Sequence, residues 1–196
     1  MIHMFEENRN AWASSVCFFL YKYGFDDVWL NQGVGNERVF ISFLKERLIS
    51  SFKNEWKSRL TNTNAPSLSL YRLLKAEIQL SAYLPGVKSI QGRCQITRVR
   101  LGVSYLKPHW NRFVVNPSMA DLACPFCIDI VESEIHFILT CPVYNDLREL
   151  YINEKYSRRP SLFRLAVLLA SEDMCTLVNL GKYLQKAFSR RSVLLS

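Results

Sequence analysis

Apolar residues recur along this chain at helical spacing, three and four apart, rather than in strand-like alternation. Trp12, Val16, Phe19, Leu20 and Tyr23 form a first helical set, with Asn10 as its cap and Gly24 as its terminator. Asp26 starts a further turn carrying Val28 and Trp29. Asn36 caps a second, longer helix whose stripe is Phe40, Phe43, Leu44, Leu48, Phe52, Trp56 and Leu60. That helix is long for a small globular protein, and the pattern predicts that it extends beyond the core. TNTNAPS (61–67) then breaks the pattern.

A third helix is expected over 68–83, with Leu70, Leu73, Leu74 and Ile78 packing and Pro85-Gly86 ending it. Residues 88–112 read as a short helix inside a basic, aromatic stretch. Another helix carries Ile138 and Leu139 and stops before Pro142, since the residue ahead of a proline disfavours helix. Val143, Leu147, Leu150 and Tyr151 give the next face. Ser161 caps a short helix with Phe163, Leu165, Val167 and Leu168; Ser171 caps a last one with Met174, Leu177, Val178, Leu184 and Phe188. No strand-rich region or internal repeat emerges. The expected fold is all-α: an irregular helical assembly with a small Cys-Cys-His-Cys zinc knuckle. Four segments follow from the pattern: an aromatic-rich helical region (1–60), a basic helical linker region (61–123), the knuckle (124–141) and a carboxy-terminal helical region (142–196).

The chemistry lies in CPFCIDIVESEIHFILTC. Cys124, Cys127, His136 and Cys141 are spaced Cys-x2-Cys-x8-His-x4-Cys, and three thiolates with one imidazole fill the tetrahedral shell of structural Zn²⁺. Pro125 fixes φ in the turn that aims the first two sulfurs at one ion. A redox Cys-x-x-Cys pair is an alternative reading, which leaves His136 and Cys141 unexplained. Unligated core or surface residues are another. Cys17 and Cys175 fall in helical patterns and read as small buried hydrophobes. The opening MIHMFEENRN has no leading basic region, and VCFFLY is too short to span a bilayer. The expectation is an intracellular protein without a membrane partner, nucleus and cytoplasm not being separated.

The net charge of +8 is unevenly placed. Residues 61–123 hold 8 basic and 2 acidic residues, a net +6, whereas the segments on either side are each near +1. Arg93, Arg98, Arg100, Lys107 and Arg112 interleave there with Tyr105, Trp110 and Phe113. Arginine clamps phosphate and aromatic rings stack on unpaired bases, so Arg93, Arg98, Arg100, Lys107, Trp110 and Arg112 are candidate contacts to RNA or DNA. Solvated helix faces and ordinary core aromatics are the plainer account of the same residues. Arg98 and Arg100, two apart, diverge by about 200° on a helix and cannot share one narrow stripe. His109 reads as a satisfied structural histidine. Lys182, Lys186, Arg190 and Arg191 gather near the end of the last helix, where positive charge is locally favourable.

CPFC (124–127), ESEIHFILTCPVYNDLR (132–148), RVRLG (98–102) and NLGKYLQKAF (179–188) together resemble the carboxy-terminal zinc-knuckle region of LINE-type, non-LTR retrotransposon reverse transcriptases. The likeness covers residues 90–190. It implies zinc held by Cys124, Cys127, His136 and Cys141, with Glu134 and Phe137 shaping the loop. It also implies a role in holding template RNA or target DNA. Related elements carry Asn-His soon after the Arg-x-Arg segment, where this chain has Val103-Ser104-Tyr105. The paired carboxylates a polymerase needs for two divalent ions have no counterpart beyond Asp26-Asp27, which looks like a helix start. The resemblance therefore implies a detached or truncated tail that is not an enzyme. Two alternatives stay open: a protein-interaction domain using helix 36–60, with zinc purely structural, and a Cys/His redox enzyme.

Overall fold

The computed structural model describes residues 11–61, 68–75 and 77–196. The expected cap Asn10 and most of the TNTNAPS break lie outside them. The fold is all-α, with one isolated antiparallel bridge, Ala123–Val131, among the described residues. The chain divides into two compact units, Met1–Thr61 and Asn62–Ser196.

The first unit holds α1 (Ala11–Tyr23), α2 (Asp26–Asn31) and α3 (Glu37–Thr61). Gly24 ends α1 at φ +75°, the left-handed conformation that glycine adopts without strain. Asn36 caps α3 as the sequence predicts, its Oδ1 accepting from the Arg38 and Val39 amides at 3.1 and 3.2 Å. A small core forms from Ala13, Leu20 and Trp29, with Val16 and Phe40 against it. The stripe along α3 does not become core. No residue of α3 is buried, and Phe43 and Phe52 are exposed. Successive apolar positions four apart advance about 40° each, so the row from Phe40 to Leu60 winds about 200° round the helix. Such a row cannot lie against one flat partner.

The second unit is built round α12 (Met174–Leu195). Leu177, Leu180, Tyr183, Leu184, Ala187 and Phe188 bury one face of it. That face packs on α5 (Tyr83–Gly86), α6 (Ile90–Arg100) and α9 (Asn145–Tyr151). Helices α6 and α12 cross at two glycines: a Cβ added to Gly92 would lie 3.4 Å from the Cα of Gly181. The helix expected over 68–83 is instead two pieces. α4 (Ser69–Leu74) stops at Lys75, and Pro85 and Gly86 sit inside α5 rather than beyond a helix end. Leu73 and Ile78 are exposed; Leu70 alone of the expected face is buried.

Beyond these lie α7 (Lys107–Trp110), α8 (Met119–Leu122), α10 (Glu154–Ser157) and α11 (Leu162–Leu169). Ser161 caps α11 through the Arg164 amide, but Phe163 and Val167 face outward while Leu165, Leu168 and Leu169 are buried. Asp173, not Ser171, caps α12, accepting from the Thr176 amide at 2.8 Å. Cys175 is exposed and Cys17 half-buried, so neither is the buried hydrophobe expected. No described helix is long and apolar enough to cross a membrane.

Candidate metal centre and the basic cleft beside it

The knuckle is a turn followed by an unusual helical segment. Ala123 and Val131 pair across it, and the Cys124 amide donates to Ile130 O at 2.6 Å. Cys127 N–H donates to Cys124 O at 3.4 Å, closing the turn that brings the first two sulfurs together. Ser133 caps the next segment: its hydroxyl accepts from the His136 amide at 3.2 Å and its carbonyl from the Phe137 amide at 2.9 Å. Glu132 lies before that cap, outside the helix.

His136–Thr140 is a π-helix, and Cys141 N–H donates to His136 O at 2.7 Å across five residues. In an α-helix, positions five apart point about 140° away from each other. Widening the turn to an i→i+5 bond brings residue 141 back over residue 136, and π-turns of this kind occur often at functional sites. This local distortion makes a His-x4-Cys pair able to share one ion.

The ligand atoms of Cys124, Cys127, His136 and Cys141 all lie within 4.8 Å of one another. The Cys127 and Cys141 sulfurs are 3.8 Å apart. A tetrahedral ion with metal–sulfur bonds of about 2.3 Å requires sulfur–sulfur edges of about 3.8 Å. His136 contributes the fourth corner. Its Nδ1 lies 3.1 Å from Thr140 Oγ1, whose own hydroxyl donates to His136 O at 3.4 Å. With that hydroxyl donating to the carbonyl, Oγ1 can accept from an Nδ1 proton, the tautomer that keeps a lone pair on Nε2 for a metal. Nε2 is buried and has no hydrogen-bond partner among the described residues. The four side chains are therefore a site that can hold a metal ion.

Electrostatics match the geometry. Burial lowers the His136 pKa, favouring the neutral imidazole that a metal needs. Burial, with the neighbouring thiols, pushes the Cys141 thiol up to about 12, and burial also raises Cys127. Without a cation both sulfurs keep their protons at neutral pH; a metal displaces them. Cys124 is buried, whereas a redox pair would present it to solvent.

Contacts from four residues, Arg148, Tyr183, Phe137 and Glu132, fix the frame. The buried Arg148 guanidinium donates to Ile138 O at 3.0 Å and to Cys141 O at 2.7 Å, serving the carbonyls at the end of the π-helix. Tyr183 Oη donates to Phe137 O at 2.8 Å. Phe137 stacks on Phe188 at 4.6 Å between centroids and meets Tyr144 edge-on at 4.8 Å. Glu132, 1 % exposed, accepts from Arg191 Nε at 2.7 Å and Nη2 at 2.8 Å, and from the Lys107 amide at 2.7 Å. One carboxylate thus joins the metal loop to α7 and to α12.

Those same elements frame a cleft of about 1370 Å³ between α6, α7 and α12. Arg98, Lys107, Lys182, Lys186 and Arg191 line it with Tyr105 and Trp110, and no Asp or Glu among the described residues does. Arg98 donates to Tyr105 Oη at 2.6 Å and lies over that ring, while Trp110 is 67 % exposed.

Three of the six candidate nucleic-acid residues, Arg98, Lys107 and Trp110, meet in this cleft. Arg93 is turned away, its Nη1 donating to Val87 O at 2.7 Å and Lys88 O at 3.2 Å. Arg100 is buried on the opposite side of α6, donating to Leu169 O at 2.6 Å, so the surface role expected of it fails. The side chain of Arg112 lies outside the described part of the structure. Lys182 and Lys186, placed from the sequence at a favourable helix end that could also extend an electrostatic surface, line this cleft. Their i,i+4 spacing on α12 was the available signal for a wall of the cleft. His109 is satisfied as expected, between the Ser104 hydroxyl at 2.7 Å and Glu134 at 3.0 Å. No family model, curated protein or solved structure matches this chain.

Proposed function

We propose that the protein is a non-catalytic, zinc-stabilised helical module that binds RNA or DNA in the cleft between α6 and α12. The carrying observation is the juxtaposition of four converging ligands with a cleft lined by five cationic side chains, one of them (Arg191) paired with Glu132, and by no Asp or Glu among the described residues. Cys124, Cys127, His136 and Cys141 hold the zinc, with three sulfurs and one nitrogen closing its shell so that no position is left for chemistry. Arg98, Lys107, Lys182 and Lys186 meet phosphates, and Trp110 with Tyr105 offers stacking faces to bases. Glu132 carries the order of the metal loop into both walls. The resemblance to the tails of LINE-type reverse transcriptases supports the same reading, as a piece of a retroelement-derived protein.

The test combines metal content with salt-dependent binding. One zinc per chain is expected by elemental analysis. Fluorescence anisotropy with labelled RNA and DNA oligonucleotides at several salt concentrations should give affinities that fall steeply with salt. Replacing Arg98, Lys182 and Lys186 together by Ala should weaken binding about 10- to 100-fold, and unchanged low-salt affinity would refute the cleft assignment.

A second reading has its own observation. α3 buries no residue, and Phe43 and Phe52 are 59 % and 60 % exposed. A protein partner along α3, with the zinc purely structural, accounts for that exposure. Concentration-dependent self-association or a retained partner, with oligonucleotide binding absent, would favour it.

A further inference from the structure

We propose that the cavity between α4, α5 and α6 is a binding site for a phosphate-type dianion, held by Lys75 and Arg100. The cavity measures about 220 Å³ and both cations line it, together with Tyr71, Ser81 and Tyr83. No Asp or Glu among the described residues lines it.

Arg100 is 4 % exposed. A buried guanidinium without a counter-charge is costly, so such groups are normally paired with an anion. Here its partners are neutral: Leu169 O at 2.6 Å, Ser81 Oγ at 3.5 Å and the face of Tyr83 at 5.1 Å. A guanidinium has five N–H donors, so two hydrogen bonds leave donors to spare. Leu169 ends α11, and a helix C-terminus carries about half a negative charge. That offsets part of one cation. It leaves Lys75 facing the same space, with Nζ donating to the neutral Gln79 carbonyl and to no carboxylate among the described residues. Burial and the adjacent Arg100 both push the Lys75 pKa down, the sign of a cation without its anion.

The ligand class follows from the donors. A planar guanidinium fork, a mobile ammonium and the hydroxyls of the lining suit a compact tetrahedral oxyanion. Two positive groups suit a dianion better than the single charge of a phosphodiester. The site is separate from the cleft, because a rotation of about 200° puts Arg98 and Arg100 on nearly opposite faces of α6. It stands or falls independently of nucleic-acid binding.

The full zinc-loaded chain in Tris-chloride buffer should be titrated by calorimetry with inorganic phosphate, glycerol 2-phosphate and dimethyl phosphate. Saturable one-site binding of inorganic phosphate is expected, with the diester at least about tenfold weaker. Equal or tighter binding of the monoester would point to a phosphorylated side chain or metabolite as the source; preference for inorganic phosphate would point to the free ion. Both support the site. Arg100 also holds Leu169 O, so its replacement endangers the fold. Lys75→Ala and Ser81→Ala are the deciding variants, expected to lower affinity about tenfold or more while leaving the phosphate-free melting temperature unchanged. The assignment is overturned by no saturable binding, by full affinity in both variants, or by preference for the diester. Lys182→Ala/Lys186→Ala should leave phosphate binding intact. Loss there would move the anion into the cleft, defeating this site while leaving the nucleic-acid reading standing.

Discussion

The guanidinium of Arg148 is buried against two carbonyls, those of Ile138 and Cys141, and both belong to the segment that aims His136 and Cys141 at one point. A π-turn leaves its carbonyls short of regular helical partners, and a charge-assisted donor is a strong way to satisfy them. Arg148→Met keeps the length of the side chain and removes its donors. We expect it to cost about 2–4 kcal/mol of stability by chemical denaturation, chiefly through the stranded carbonyls. Metal affinity should fall about 10- to 100-fold in competition with a chromophoric chelator, as for lost outer-shell contacts elsewhere. A second residue gives a proton count. Burial holds the thiols of Cys127 and Cys141 protonated, the latter up to about 12. The bound form carries fewer protons than the free form, so affinity rises with pH and is lost as pH falls. Calorimetry in buffers of different ionisation enthalpy should show at least about two protons released per metal at neutral pH. A value near zero would mean that the thiols are not the ligands.

At the scale of elements, what could be read from the sequence depended on the range of the forces involved. Asn36 and Ser161 were recognisable as caps because a cap bonds amides two or three residues away. The Cys-Pro-Phe-Cys turn was equally local. The break after Leu74 was not visible, since Leu70, Leu73, Leu74 and Ile78 satisfy helical spacing whether or not the chain continues as helix. The π-turn was hidden for the same reason: His-x4-Cys reads as an α-helical pair pointing apart until the carbonyls find Arg148 and Tyr183. The α6–α12 crossing was also illegible, because Gly92 and Gly181 are 89 positions apart and each looks like a weak point in its own helix. Together they let two backbones approach. A Cβ at 181 would sit 3.3 Å from Val87 Cγ1, already tight. Gly181→Leu should therefore separate the helices and cost about 1–3 kcal/mol or more, read as a lower denaturation midpoint. Gly181→Ala should do much less, its helix propensity offsetting the crowding.

For the second unit as a whole, metal loop and cleft are tied through the Glu132 carboxylate as well as through Tyr183 and Phe188 of α12. Glu132 sits between the Cys-Cys turn and the His-Cys turn, accepts from the Lys107 amide that opens α7, and pairs with Arg191 on α12. Neither wall of the cleft touches a metal ligand through this route; both touch the segment that the ligands hold. Removing the ion should thus loosen the cleft without removing any of its charges. Glu132→Gln should break the buried pair and cost about 3 kcal/mol or more, because Arg191 is left without its counter-charge. The two perturbations separate charge from order. Lys182→Ala/Lys186→Ala should reduce the slope of log affinity against log salt by about 1.4–1.8, two phosphate contacts' worth, with the melting temperature unchanged. Chelating the metal should instead lower affinity and melting temperature together, and readdition of zinc should restore both. If chelation abolishes the metal yet leaves oligonucleotide affinity and its salt slope intact, the knuckle and the cleft are independent, and Glu132 joins them only in space.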